Sequence, residues 1–454
     1  MTGLSFELIK KYYNLCKPEE PLEPGNARYA PIDERGPSGH SPRGRNWVDH
    51  LARQVELSDT PVLLRFTGLS GSGKSTELKR LMKALGESGP DGPHLLCVYI
   101  DAEKEVDLYN TVDVPDILMN LVFAAERQVL VAEDKNPDDA LKSGYLTRIW
   151  DWLSKTEVGA EQVNVSGGMP GVADVGITLA LKTQPSFREQ VRRAATRHID
   201  TFLRNVREAF TQMEARAKQQ GYSGMLLVFD SFEKLSGTSA NWREVLDSAE
   251  RLFDANEPCL RLPVHVLYTI PPALAFRLHL PDNNFMPMIK LRDRNGDECK
   301  DGLAAARELV RRRIPDDHLR DLLGPGVERI IEQVILSTGG YPRELVRVLR
   351  TLLRDAEPNA TLGHEQIRRV LTEMDDSYRV LVHEQHFEWL AAVAVHKSFA
   401  AQDDDHHRDA DAMFRNNVLL RYHNDALWFD IHPAVKKIPG VKAEIERLQS
   451  AADA

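Results

Sequence analysis

The sequence predicts an α/β protein built on a parallel sheet, followed by an all-helical region and a small C-terminal domain of helices and a hairpin. Three observations carry this. Continuous apolar runs, Pro61–Phe66, His94–Ile100, Met225–Phe229 and Leu262–Ile270, recur in the first two thirds of the chain. Runs of that kind read as strands buried on both faces. Helix-period segments lie between them, such as Asp116–Val131 with Ile117, Leu118, Leu121, Val122 and Ala125 on one face. From Gly302 onward the apolar spacing becomes wholly helical.

Residues 1–46 form an N-terminal segment, with a short helix over Ser5–Leu15 and then an irregular stretch rich in Pro, Gly and Arg. Arg28-Tyr29-Ala30-Pro31 and Arg43-Gly44-Arg45 lie in it, ahead of a helix over Asn46–Glu56. Tyr29 has two readings: stacking on a base, or pinning the loop to the core. Residues 47–300 form the sheet domain. Its first strand runs into Gly68-Leu69-Ser70-Gly71-Ser72-Gly73-Lys74-Ser75, and a helix over Ser75–Leu85 follows.

About residues 133–185 the rhythm breaks. A helix ends at Trp150-Asp151-Trp152-Leu153, and then Val163–Gly168 and Val175–Leu181 alternate like a hairpin around a Gly-rich turn. This segment reads as an insertion. One long helix, Ser186–Gln219, returns the chain to the sheet. Its Arg188, Arg192, Arg193, Arg197, Arg204 and Arg207 read as a solvated face, with a partner or nucleic-acid surface as the alternative. Leu262–Ile270 is closed by Pro271-Pro272, and Met288–Leu291 reads as a last short strand.

Residues 301–383 read as a helical lid, with helices over Leu303–Arg313, Gly326–Thr338, Pro342–Asp355 and Gly363–Leu381. Residues 384–454 read as a winged-helix domain. It has a helix carrying Phe387, Trp389, Leu390 and Val393, a polar loop Asp403–His407 and a helix Arg408–Arg415. A hairpin of Val418–Tyr422 and Ala426–Asp430 then turns at His423–Asp425. The acidic and His-bearing loop reads as solvated, because no second ligand cluster supports a metal site.

The chemistry concentrates where the first strand meets the next helix. Gly68–Ser75 is GxxxxGK[ST] without a mismatch. Glycines let the backbone wrap a phosphate, successive N–H groups point at the anion, and the helix N-terminus adds its dipole. Gly68, Ser70, Gly71, Ser72, Gly73 and Thr76 belong to this cradle. Lys74 reaches the β- and γ-phosphates, and Ser75 is a ligand for Mg²⁺.

Met225–Asp230 is an apolar run ending in a carboxylate. A buried parallel strand presents such a group at its C-terminal edge, where ligands sit. Asp230 is therefore the Walker-B candidate, holding Mg²⁺ directly or through water. Glu233 either orients or deprotonates the attacking water, or is a first-turn Glu favoured by the helix dipole. Thr269 ends its strand either near the γ-phosphate or as a hydroxyl satisfying the turn backbone. In Gly339-Gly340-Tyr341-Pro342-Arg343, Gly340 suits a helix C-cap and Pro342 a first helical turn. Arg343 then stands on that first turn, placed to approach a phosphate if the helix packs over the nucleotide. Arg277, Arg292 and Arg294 are surface arginines or, for one of them, a finger acting across a subunit interface.

The chain of 454 residues has 42 % hydrophobic and 28 % charged residues and a net charge of −10. These values fit a globular protein with real cores and argue against a strongly basic nucleic-acid binder. Cys16, Cys97, Cys259 and Cys299 show no CxxC spacing, as expected of reduced thiols rather than a zinc site or disulfide frame. No apolar run approaches the ~20 residues of a membrane span, and the N-terminus lacks a signal-peptide layout. The expected location is cytoplasmic.

Taken together, residues of about 45–440 resemble the AAA+ superfamily, and within it the STAND-like and initiator-like ATPases of bacteria. The most specific motif is Gly339–Arg343, which resembles sensor 2 of a helical lid. Thr269 matches the place of sensor 1. In STAND switches a His of the winged domain contacts bound ADP, and His432 in Phe429-Asp430-Ile431-His432-Pro433 looks similar. The usual Met-His-Asp signature is not present here. Asp230-Ser231-Phe232-Glu233 also departs from the plain Asp-Glu of most AAA+ proteins. The longer run around DSFEKLSGTS and GGYPREL looks like bacterial ATP-binding proteins linked to antiviral defence loci. The resemblance implies an ATP-driven, Mg²⁺-dependent switch with slow turnover, acting through a protein partner or by homo-oligomerising. The alternatives are a DNA-associated initiator or transposition-type ATPase using the winged helix, and a non-hydrolysing ATP-binding scaffold. The absence of an [NT]KxD motif favours ATP over GTP.

Overall fold

The computed structural model describes residues 3–87, 92–142, 144, 147–149, 152, 177–254, 256–278, 283–399, 404–423 and 426–452. The chain forms two compact units. One comprises Leu51–Thr67 and Arg80–Asn284; the other comprises Met1–His50, Gly68–Lys79 and Phe285–Ala454.

The first of these is an α/β unit on a five-stranded sheet. Its strands are β1 (Leu63–Gly68), β2 (Leu95–Asp101), β3 (Gly224–Asp230), β4 (His265–Thr269) and β5 (Asn283–Met286). The order is β2-β3-β4-β1-β5. The β2–β3, β3–β4 and β4–β1 pairs are parallel. All seven residues of β3 are buried, as the unbroken apolar run requires of a central strand. Phe229, Phe232, Phe253 and Tyr268 form an edge-to-face cluster beside it, with centroids 5.6–6.0 Å apart.

The helix Val114–Ala132 packs on the sheet and starts from a capping box. Asp113 accepts from Val114 N at 2.7 Å, while Asp116 accepts from Asp113 N at 2.8 Å. The single long helix expected over Ser186–Gln219 is two helices, Pro185–Arg197 and Ile199–Gln219. His198, at φ −134° and ψ 48°, leaves the helical region and breaks it. Nor is the arginine row solvated along its whole length. Arg188 is bonded to Asp107 at 2.8 Å and Arg192 to Asp116 at 2.6 Å, so two of its members are structural ties.

Two further expectations change. Ile177–Thr183, expected within an alternating strand, is a helix; the rest of that hairpin, residues 153–176, lies outside the described residues. Met288–Leu291 is not a strand. Its N–H groups are divided among separate elements: Met288 N donates to Arg421 O at 3.0 Å, Ile289 N to Gly340 O at 3.1 Å and Lys290 N to Pro42 O at 3.1 Å. A ladder needs one continuous partner, and this segment is instead a strap.

The second unit is helical apart from one hairpin. Its helices between residues 300 and 379 are Lys300–Arg311, Asp316–Leu323, Val327–Ser337, Pro342–Arg354 and His364–Arg379. The helix Asp316–Leu323 is not foreseen by the sequence reading. The C-terminal part holds Phe387–His396, Asp404–Arg415, the antiparallel pair β6 (Leu419–His423) and β7 (Leu427–Ile431), and Pro439–Ala452. The helix begins at Asp404, inside the stretch expected to be loop; Asp403 and the hairpin turn at 424–425 lie outside the described residues. The N-terminal helix Phe6–Leu15 joins this unit. Arg350 stacks on Tyr13, 4.1 Å from its ring centre, and Asn359 N donates to Leu4 O at 2.7 Å.

Candidate nucleotide site

The loop after β1 has the backbone of a phosphate cradle. Gly71 has φ +75° and Gly73 φ +105°, conformations that L side chains avoid. The helix starts at Lys74. Gly73 O accepts from Thr76 N at 3.0 Å and Glu77 N at 3.1 Å. Lys74 is buried and folds back on the loop, donating to Gly68 O at 2.9 Å and Leu69 O at 3.2 Å. Ser75 is half-buried in the first helical turn.

Arg343 is brought to this loop. It donates from Nη1 to Ser70 Oγ at 2.9 Å, and its Nε lies 3.2 Å from Glu19. The positive-φ pair Gly339 and Gly340 makes this possible. A side chain at 340 would meet Ile289 O at 1.8 Å, so the chain turns there only as glycine. Tyr341 and Arg343 then cover Gly71, where a Cβ would come within 2.6 Å of both.

Other residues at the loop have no motif to announce them. Asn417 donates to Ser70 O at 3.3 Å. Arg43, 1 % exposed, donates to Ser72 O at 2.7 Å and lies 3.3 Å from the buried carboxylate of Asp33. Thr76 Oγ1 accepts from Leu22 N at 3.1 Å, and Tyr29 OH donates to Glu77 at 3.4 Å. Tyr29 therefore has a loop-pinning contact. Arg43 and Asn417 were missed because a lone Arg or Asn in a loop carries no spacing signal.

His432, which the resemblance nominates as a nucleotide contact, is held by protein groups. It is fully buried. Its Nδ1 accepts from Ala434 N at 3.2 Å, and its Nε2 lies 2.9 Å from Glu344 and 3.2 Å from Thr338 O. Its ring stacks on Tyr378 at 4.0 Å, and Tyr378 OH donates to Glu344 at 2.8 Å. Both ring nitrogens are thus engaged within the protein. Because Nδ1 accepts, Nε2 carries the proton and donates to Glu344. The histidine grips the helix turn that bears Arg343.

In the α/β unit, Asp230 is fully buried at the C-terminal end of β3. Its Oδ2 accepts from Tyr99 OH at 2.6 Å and its Oδ1 from Ser231 N at 2.7 Å. Burial, and next the Asp230 charge, raise the Tyr99 phenol pKa far above its ordinary value, so it remains a donor. Ser231, at φ +65°, turns the chain into the short helix Phe232–Lys234 that carries the half-buried Glu233. Thr269 Oγ1 accepts from Phe232 N at 3.0 Å and so fixes that turn. Arg277 pairs with Glu250 at 3.0 Å and Arg292 with Glu298 at 3.1 Å, while Arg294 is exposed.

No protein-family model matches the chain. A stretch of 42 residues, 9 % of the chain, is 52 % identical to an adenylyl-sulfate kinase of Shewanella denitrificans. The match spans only 20 % of that enzyme's length. Solved structures with a similar outline include the Aeropyrum pernix ORC2 protein in ADPNP-ADP complexes. That likeness has 12 % identity and a TM-score of 0.33, over 89 % of this chain and 92 % of the other. Drosophila ORC bound to DNA gives 11 % and 0.39 over 97 % and 91 %. Cdc6p of Pyrobaculum aerophilum gives 10 % and 0.33 over 88 % and 92 %.

Proposed function

We propose that this chain is a Mg²⁺-dependent ATP-binding and hydrolysing switch of the AAA+ type, with a STAND-like lid and C-terminal winged domain. The observation that carries the reading is the meeting of Arg343 with Ser70 over the Gly68–Ser75 loop. Arg343, bonded to Ser70, is a second cation on the loop that leads to Lys74. Two cations, a row of backbone N–H groups and a helix N-terminus suit a polyphosphate.

Mg²⁺ fits the donor set. Among the described residues no cluster of three or more His, Cys, Asp or Glu side chains is arranged for a metal. A cation brought in with phosphates needs few protein donors, and the two sequence motifs nominate Ser75 and Asp230 for that role. Such an ion neutralises charge developing on the transferred phosphoryl group. Lys74 and Arg343 hold the phosphates, and Gly68, Gly71, Ser72, Gly73 and Thr76 shape the cradle. Glu233 activates water, and Thr269 fixes the turn from which Glu233 projects.

The switch runs through one helix turn. Arg343 answers to phosphate, and its neighbour Glu344 is held by His432 and Tyr378. Moving Arg343 from Ser70 strains the Glu344–His432 contact, so the nucleotide state reaches the C-terminal domain.

Titration calorimetry with ATP and ADP tests binding. Lys74→Met should weaken ADP binding on the order of 100-fold. Glu233→Gln should lower turnover by about 100-fold with ATP binding intact; unchanged turnover in that variant would favour the scaffold reading. The runner-up is a DNA-associated ATPase, favoured by the helix-then-hairpin outline of residues 404–431. Against it, Arg421 of β6 is packed on Phe285, 4.0 Å from its ring centre, and the chain is acidic. Salt-dependent binding of duplex DNA would promote it.

A further inference from the structure

We infer that Arg43 is a positioning residue for the phosphate cradle, acting through the peptide that joins Ser72 to Gly73. The inference rests on the reading of Gly68–Ser75 as a nucleotide site. Arg43 lies outside every motif in the sequence. Yet its guanidinium is 1 % exposed and its Nη2 donates to Ser72 O at 2.7 Å. Its Nη1 lies 3.3 Å from Asp33, itself 3 % exposed, and 3.3 Å from Met286 Sδ.

A buried arginine is costly unless its charge is met, and Asp33 meets it. What the pair achieves follows from peptide geometry. In a trans peptide the C=O of one residue and the N–H of the next point in opposite directions. Holding Ser72 O toward Arg43 therefore turns the Gly73 N–H the other way, to the side a phosphate occupies in a cradle of this sequence. Gly73 itself, at φ +105°, has the backbone freedom to lose that orientation. Arg43 thus supplies a constraint that the glycine lacks. Ser70 O and Gly68 O accept from Asn417 and Lys74 in turn, and Arg43, with the buried Asp33 as countercharge, holds the carbonyl two residues before the helix start at Lys74.

The test compares wild type, Arg43→Lys and the charge-neutral double variant Asp33→Asn/Arg43→Met. ADP and AMP affinities are measured by calorimetry well below each variant's melting temperature. Lysine keeps the charge but offers no planar fork to reach both Asp33 and Ser72 O. The double variant removes both buried charges and so avoids an unpaired one. Losing one oriented bond to phosphate should weaken ADP binding by about tenfold or more. It should also shrink the ADP-over-AMP preference, which a merely structural loss would leave unchanged. Folded variants with ADP affinity within twofold of wild type, or with the ADP-over-AMP ratio kept, would overturn the role of Arg43. Should Arg43→Lys not fold, the double variant decides. If wild type binds neither ATP nor ADP, the site reading fails first, and this inference with it.

Discussion

At the residue scale, the loop is held by contacts that its own sequence does not contain. Gly71→Ala places a methyl within 2.6 Å of Tyr341 and Arg343 and forces a positive φ on alanine. It should cost about 1–3 kcal/mol in stability and loosen Arg343 from Ser70. A melting temperature equal to wild type would show that the lid turn does not rest on the loop. Tyr99→Phe removes the donor on Asp230 Oδ2 and leaves a buried carboxylate short of a partner. The expected destabilisation is about 1–3 kcal/mol, read by denaturant titration. Of the candidate residues, Lys74, Ser75, Asp230 and Arg343 were legible because each sits in a contiguous pattern with a stated chemistry. Glu19, Arg43 and Asn417 were not, because their place at the loop exists only in what they touch.

Elements are tied to each other by buried ions as well as by apolar faces. Arg216, on the helix Ile199–Gln219, bonds Glu126 at 2.8 Å and Glu133 at 2.7 Å, joining that helix to Val114–Ala132 and its cap. The Arg216 hydrogen bond holds the Glu133 carboxyl down to about 2, from an ordinary value of 4.5. A carboxyl depressed on folding stabilises the fold fully above its unfolded value, and that contribution fades as pH falls toward the folded one. Wild type should therefore lose stability between about pH 4.5 and 2 more steeply than Glu133→Gln, which lacks the contribution throughout. Glu126 is shifted the opposite way, chiefly by burial, so the two-variant comparison is needed to isolate Glu133. Parallel acid-unfolding curves would reject the assignment. The first four strands of the sheet and most helices were foreseen, since period and run length are local signals, but β5 at Asn283–Met286 was not. The break at His198 and the strap at Met288–Leu291 were not, because both are set by neighbours rather than by propensity.

For the whole molecule, connectivity matters more than order along the chain. The helical unit is assembled from three separate stretches, 1–50, 68–79 and 285–454. Removing residues 1–45 keeps every motif but deletes Arg43, Leu22, Tyr29 and the helix Phe6–Leu15. That truncation should abolish ADP binding and lower the melting temperature of the helical unit. Retained affinity would mean that the motif suffices alone. Assembly is tested by light scattering after size exclusion. ATP with Glu233→Gln should give a larger species if the nucleotide drives oligomerisation, and one mass in all nucleotide states would move the search to a partner protein.

The sequence by itself determined the strand–loop–helix that suits a phosphate, the carboxylate ending β3 and the helix start bearing Arg343. Each is written in neighbouring residues, where backbone geometry and apolar period act directly. Tertiary structure alone decided what holds them. Arg343 reaches Ser70 across 273 positions of sequence and Asn417 across 347. It also brought His432 onto Glu344, next to Arg343. Those pairings come from the packing of separate elements, and no local pattern of residues encodes which distant side chain will arrive.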